Sequence, residues 1–199
     1  MMRRAVSSIL SLVCCAGLTA CGTSPPKVDL SKGAPARVRF VTAAASSAIV
    51  SVRDQACIDW GAIQHDMGGH AIASVGPSLK TSGEPKRESI GMPEVGLEKG
   101  DSYVEVNVTS GEKLWVEFLS TTVVYGGTST CALGFEFLPL AGENYQVVFL
   151  RKGAMMGSEW LGTQQRAGGC SGGVAHIVTA PDGTVKLEKI PDARGLPHC

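Results

Sequence analysis

The chain predicts an all-β fold, a single-domain two-sheet β-sandwich of about eight strands. Three observations carry that prediction. Apolar residues recur at every second position in short runs, the spacing that turns one face of a strand toward a core. Clusters of Gly, Pro, Asn and Asp separate those runs. Glycine is frequent, at 25 residues, aromatics make up only 6% of the chain, and no segment carries a convincing amphipathic-helix period. Short strands at regular spacing favour two packed sheets of the immunoglobulin or transthyretin kind.

The first run, Arg37-Val38-Arg39-Phe40-Val41, places Val38 and Phe40 on one face and both arginines on the other, which reads as a solvated face. Ile49 to Arg53 repeats the pattern with Val50 and Val52 inward. Ala71 to Val75 is a short strand, and the polar run from Pro77 to Gly91 reads as a long surface loop. Tyr103 to Val108 alternates with its valines inward; Ser110-Gly111 turns the chain, and Leu114, Val116 and Phe118 form the answering stripe of a hairpin. Leu133, Phe135 and Phe137 make another stripe, a turn spans Pro139 to Asn144, and Tyr145, Val147 and Phe149 follow. Pro181-Asp182-Gly183-Thr184 is a turn between Val174–Thr179 and Val185–Ile190.

The N-terminus gives the compartment. Met1-Met2-Arg3-Arg4 is a basic start, and an apolar run from Ala5 to about Leu18 follows, shorter than the roughly 20 residues a membrane-spanning helix needs. Leu18-Thr19-Ala20-Cys21 then matches the bacterial lipobox: small residues admit the peptidase, and the Cys21 thiol takes the lipid as a thioether. The expected organisation is a signal peptide over residues 1–20, a lipidated N-terminus and flexible tether over 21–35, and a β-sandwich domain over 36–199. Gly22 stands where an Asp would retain a lipoprotein in the inner membrane, so the expected site is the outer membrane, facing the periplasm. Palmitate-class acyl chains contribute about 0.8 kcal/mol per buried methylene, so two or three of them anchor firmly.

Without residues 1–20 the chain has 179 residues and 16 basic against 18 acidic side chains, a formal charge of −2. That balance offers no basic face for nucleic acid. Cys57, Cys131, Cys170 and Cys199 remain beside the lipidated Cys21, an even number in an oxidising space, so disulfides are expected. Four cysteines allow three connectivities. Cys131–Cys170 with Cys57–Cys199 is the preferred arrangement, the second bridge pinning the last residue to the body; the first closes a loop worth roughly 4 kcal/mol in the chain-entropy treatment.

Cys131, Phe135, the Phe137-x-Pro139-x-x-Gly142-x-x-Tyr145 run and Cys170 together resemble a group of uncharacterised proteobacterial outer-membrane lipoproteins with a Cys…Phe-x-Pro-x-x-Gly-x-x-Tyr…Cys β-domain. Ala36 to Phe40 is similar to the first strand of that group, and the likeness spans most of residues 36–179. The resemblance implies a small envelope β-domain and imports no catalytic residues. Tyr145, after the Gly142 turn, suits a tyrosine corner, its ring on the core and its hydroxyl returned to the turn backbone.

Four features are candidates for chemistry. His65, Met67 and His70 carry copper-suited donors, with Met155-Met156 as further soft ligands. Cys170 and His176 suggest a thiol nucleophile and base, but the disulfide reading already claims Cys170, and no nucleophile elbow is present. Gly168 to Gly173 lacks the lysine of a phosphate-binding loop and reads as a turn. Of Trp60, Trp115 and Trp160, Trp115 alternates opposite Leu114 and Val116, so it either forms an exposed contact surface or is covered by a loop such as residues 77–100. The expected function is a non-enzymatic accessory or binding subunit of the envelope, bound to the membrane by lipid and to an envelope protein partner, with no cofactor. The alternatives are a periplasmic copper-binding protein and, less favoured, an envelope hydrolase.

Overall fold

The computed structural model describes residues 26–43, 47–53, 56–58, 71–76, 84–124, 127–151, 164–166 and 169–199. Their strands are β1 (Ala36–Thr42), β2 (Ala48–Arg53), β3 (Ala71–Val75), β4 (Arg87–Glu88), β5 (Ser102–Val108), β6 (Leu114–Val124), β7 (Gly127–Phe137), β8 (Asn144–Arg151), β9 (Gln164–Arg166), β10 (Cys170–Thr179), β11 (Val185–Lys189) and β12 (Arg194–Gly195). They form two sheets. One has the order β11-β10-β8-β1-β5-β4, with β9 also on β10; the other has the order β12-β7-β6-β2-β3. The first is mixed, since β1 runs parallel to β8 and β4 parallel to β5, and the second is antiparallel throughout. The fold is the expected two-sheet β-sandwich. The strands beyond the expected set, β4, β9 and β12, have two or three residues each, too few to show a period.

The core lies between the sheets and is built from the alternating stripes. Val38, Phe40, Val104, Val106, Tyr145, Val147 and Phe149 meet Val50, Val116, Phe118, Leu133, Phe135 and Phe137 in one buried cluster. Phe118 sits at its centre, edge-on to Phe40 at 5.8 Å and stacked with Phe149 at 5.6 Å. Burying each such ring contributes roughly 1.5–3 kcal/mol. Tyr145 is the expected corner: its hydroxyl accepts from Leu140 N at 2.9 Å while its ring packs 5.4 Å from Phe137.

Gly172 is read better by the structure than by composition. Residues 170–173 belong to β10 and pair with Arg151 to Val148 of β8, so they are strand and not a turn. A Cβ on Gly172 would lie 2.3 Å from Val148 O and 3.0 Å from Phe135 Cζ. Only a glycine lets β10 lie that close to the core.

The arginine face of β1 also differs from expectation. Arg39 is fully buried, and so is Glu105, which faces it across the β1–β5 pair. Arg39 Nη2 and Nε donate to Glu105 Oε1 at 2.6 and 2.9 Å. Residues 84–101 cover this outer face: Ile90 N, Met92 N and Ser89 Oγ donate to Glu105 Oε2, and Met92 O accepts from Arg39. Gln146 bridges the same network, accepting from Arg39 and donating to Gly96 O. The network fulfils the requirement that a buried charge be paired and hydrogen-bonded. Arg37, two residues earlier, remains partly exposed.

Residues 29–35, the end of the expected tether, are fastened to the domain. Asp29 caps a 3-10 turn at Leu30–Lys32, Asp29 N donates to Thr109 Oγ1, and Ser110 Oγ donates to Ala34 O. Gly142 N donates to Pro35 O. The chain therefore enters the sandwich at the end that carries the 109–113 and 138–143 turns.

Candidate functional site

Three adjacent strands place Trp115, Glu136 and Arg194 in one row on the outer face of the antiparallel sheet. Trp115 pairs with Glu136 across β6–β7, and Arg194 pairs with Glu136 across β12–β7. Alternation puts Phe135 and Phe137 into the core, so Glu136 must point outward. The residue is nonetheless only 5% exposed. Trp115 Nε1 donates to Oε2 at 2.7 Å; Lys113 Nζ and Arg194 Nη2 reach Oε1 at 2.9 and 2.8 Å. These hydrogen bonds from Lys113, Trp115 and Arg194 hold the Glu136 carboxyl at about 2, against an ordinary 4.5. It is ionised throughout the neutral range and holds no proton to give.

Beside this row runs a groove of about 500 Å³, lined by Lys113, Glu136, Leu138 and Pro191 to Arg194 among others. Lys113 and Arg194 stay more than half exposed while their charged ends meet Glu136. Its walls thus offer two cations with free edges, an aliphatic patch and a fixed anion at the base. This arrangement suits recognition of a polar surface with an apolar element.

Trp115 is half-buried, and its cover comes from the C-terminal segment. It packs on a cluster of Ile58, Ala132 and Leu196. Leu196 lies over Gly134, where a Cβ would come within 2.7 Å of Leu196 Cδ1. Leu196 N donates to Gly134 O, Ile58 N to Pro197 O and Cys199 N to Ile58 O. The Cys57–Cys199 disulfide closes this clamp, with Cα atoms 5.3 Å apart. The loop weighed as an alternative cover for Trp115 is placed differently: its described part, residues 84–100, lies on the other sheet, where the buried Glu105 binds its backbone.

Cys131 and Cys170 form the second disulfide and join the two sheets, β7 to β10, with Cα atoms 6.3 Å apart. The preferred pairing is the observed one. The Cys170 sulfur is thereby bonded and is no free nucleophile. His176 lies elsewhere, stacked 5.1 Å from Tyr145, with Nε2 2.8 Å from Glu143 Oε2. Cys21, the His65/Met67/His70 set, Met155, Met156, Trp60 and Trp160 lie outside the described residues.

Comparison with known protein families, with curated proteins and with solved structures finds no match. The site is therefore defined by its own geometry. Sequence reasoning singled out Trp115 but passed over Glu136, Lys113 and Arg194. Glu136 had a usable signal, since it occupies the Trp115 face of the neighbouring stripe. Arg194 had none, because β12 is only two residues long.

Proposed function

We propose that this chain is a non-enzymatic accessory or binding subunit of the bacterial envelope. Lipid on Cys21 holds it at the outer membrane, facing the periplasm, and it engages an envelope protein partner through the groove beside Trp115. The observation that carries this reading is Leu18-Thr19-Ala20-Cys21 at the end of a basic-then-apolar leader. Two disulfides support it, as bonds suited to an oxidising compartment. The Lys113–Glu136–Arg194 cluster supports the binding surface: its charges are fixed by one another, so little ordering is left to a partner. An anchor also raises the local concentration of the groove near a membrane-bound partner.

Fractionation with mass spectrometry tests the anchor. The wild-type protein is expected in the outer-membrane fraction, beginning at an acylated Cys21, and Cys21→Ser is expected to abolish acylation and release the chain from the membrane. An unacylated wild-type chain of full length, or one cut elsewhere, would contradict the reading.

A further inference from the structure

We propose that the end of the sandwich where the chain enters it is a membrane-contacting face, seated on the lipid surface that holds Cys21. Among the described residues the exposed large hydrophobics are Leu30, Ile90, Leu138 and Leu140; Leu138 lines the groove, and Leu30 and Leu140 stand at this end. Leu140 and Leu30 are 54% and 69% exposed. They stand on turns that hold one another: Asp29 N bonds Thr109 Oγ1, Gly111 N bonds Pro139 O, and Gly142 N bonds Pro35 O. Leu140 is fixed further by its N–H on the buried Tyr145 hydroxyl. Exposed leucines on rigid turns lose little freedom on insertion.

Chain length selects the occupant. Eight residues separate Cys21 from Leu30. Even fully extended they span only about 30 Å, so a lipid surface at Cys21 stays within reach of this face. Charge selects the mode of contact. Lys32 pairs with Glu112, and His176 lies against Glu143. With its ion pairs closed locally, the face meets lipid through apolar side chains, and binding does not depend on anionic headgroups. The inference rests on the lipid-anchor reading above.

The test uses the full lipidated protein in vesicles of phosphatidylcholine, plain or brominated in the acyl chains. Leu140→Trp places a quenchable reporter on this face, and Thr130→Trp places one on the exposed part of the β6–β7 hairpin far from it. Brominated lipid is expected to quench the position-140 reporter about twofold, at a depth of several ångströms, and to leave Thr130→Trp at the wild-type level. Adding anionic lipid is expected to change neither. Equal quenching of the two variants, with the acyl group present in the intact mass, would overturn the proposal and leave the anchor standing. A mass without acyl chains would overturn both.

Discussion

Trp115 Nε1 donates to Glu136 Oε2 at 2.7 Å, and the bond ties the C-terminal clamp to the groove. The indole packs on Leu196 and Ile58 on one side and fixes the carboxylate that holds Lys113 and Arg194 on the other. Trp115→Phe keeps most of the packing and removes one donor to a charged acceptor. A loss of about 1.5–3 kcal/mol in denaturant unfolding is expected.

Glu136 also sets an acid limit. Its carboxyl titrates at about 2 when folded, below its ordinary 4.5, so its contribution is complete above about pH 4.5 and is lost as the pH falls toward 2. Glu105 acts in the same direction: burial pushes its carboxyl up, but Arg39, Ser89, Ile90 and Met92 together outweigh that and hold it low. Wild-type stability should therefore fall steeply below pH 4.5, and the gap to Glu136→Gln should narrow over the same window. A gap that stays constant down to the lowest pH would contradict this assignment.

The Arg39–Glu105 pair predicts an asymmetry between single and double substitutions. Glu105→Leu strands a fully buried guanidinium and should cost about 3–5 kcal/mol. Arg39→Met with Glu105→Leu leaves no stranded charge and should recover a large part of that loss. A double variant no more stable than Glu105→Leu would contradict this and would place the loss in the bonds from Ser89, Ile90 and Met92 that both variants lack.

The two disulfides should differ in what they release. Cys131→Ser with Cys170→Ser unties the sheets, and Cys57→Ser with Cys199→Ser frees the clamp. Each should cost about 2–5 kcal/mol. Only the second should shift tryptophan emission to the red, since it uncovers Trp115.

Gly172→Ala should be the costlier of two glycine changes. Its added methyl meets a backbone carbonyl, whereas in Gly134→Ala the methyl meets the Leu196 side chain, which can shift. Overpacking of this kind costs about 1–3 kcal/mol, with Gly172 at the upper end. Equal melting temperatures for the two variants would contradict the close approach of β10.

The parts of this fold that were legible in the sequence are those governed by the strand period. Val104/Val106, Leu133/Phe135/Phe137 and Tyr145/Val147/Phe149 announce their inward faces because each stripe is long enough to repeat. Arg39 was not legible as a core residue, because what buries it is the nearly irregular 84–101 segment, whose backbone donors leave no pattern of residue types. Trp115 shows the same limit. Its exposure depends on Leu196 and Ile58, brought over the sheet by a bridge between residues 57 and 199 and by the absence of a side chain at Gly134. The cysteine pairing was legible only as a preference, because four cysteines allow three connectivities and their spacing selects none of them.

The most direct measurement is site-specific photo-cross-linking of the lipidated protein in intact envelopes, with the reactive residue at Asp192 in the groove or at Thr130 remote from it. A single abundant envelope-protein adduct from position 192, absent from position 130 and weakened by Cys21→Ser, is the predicted result. Equal, diffuse labelling from both positions would contradict a binding subunit that works through this groove.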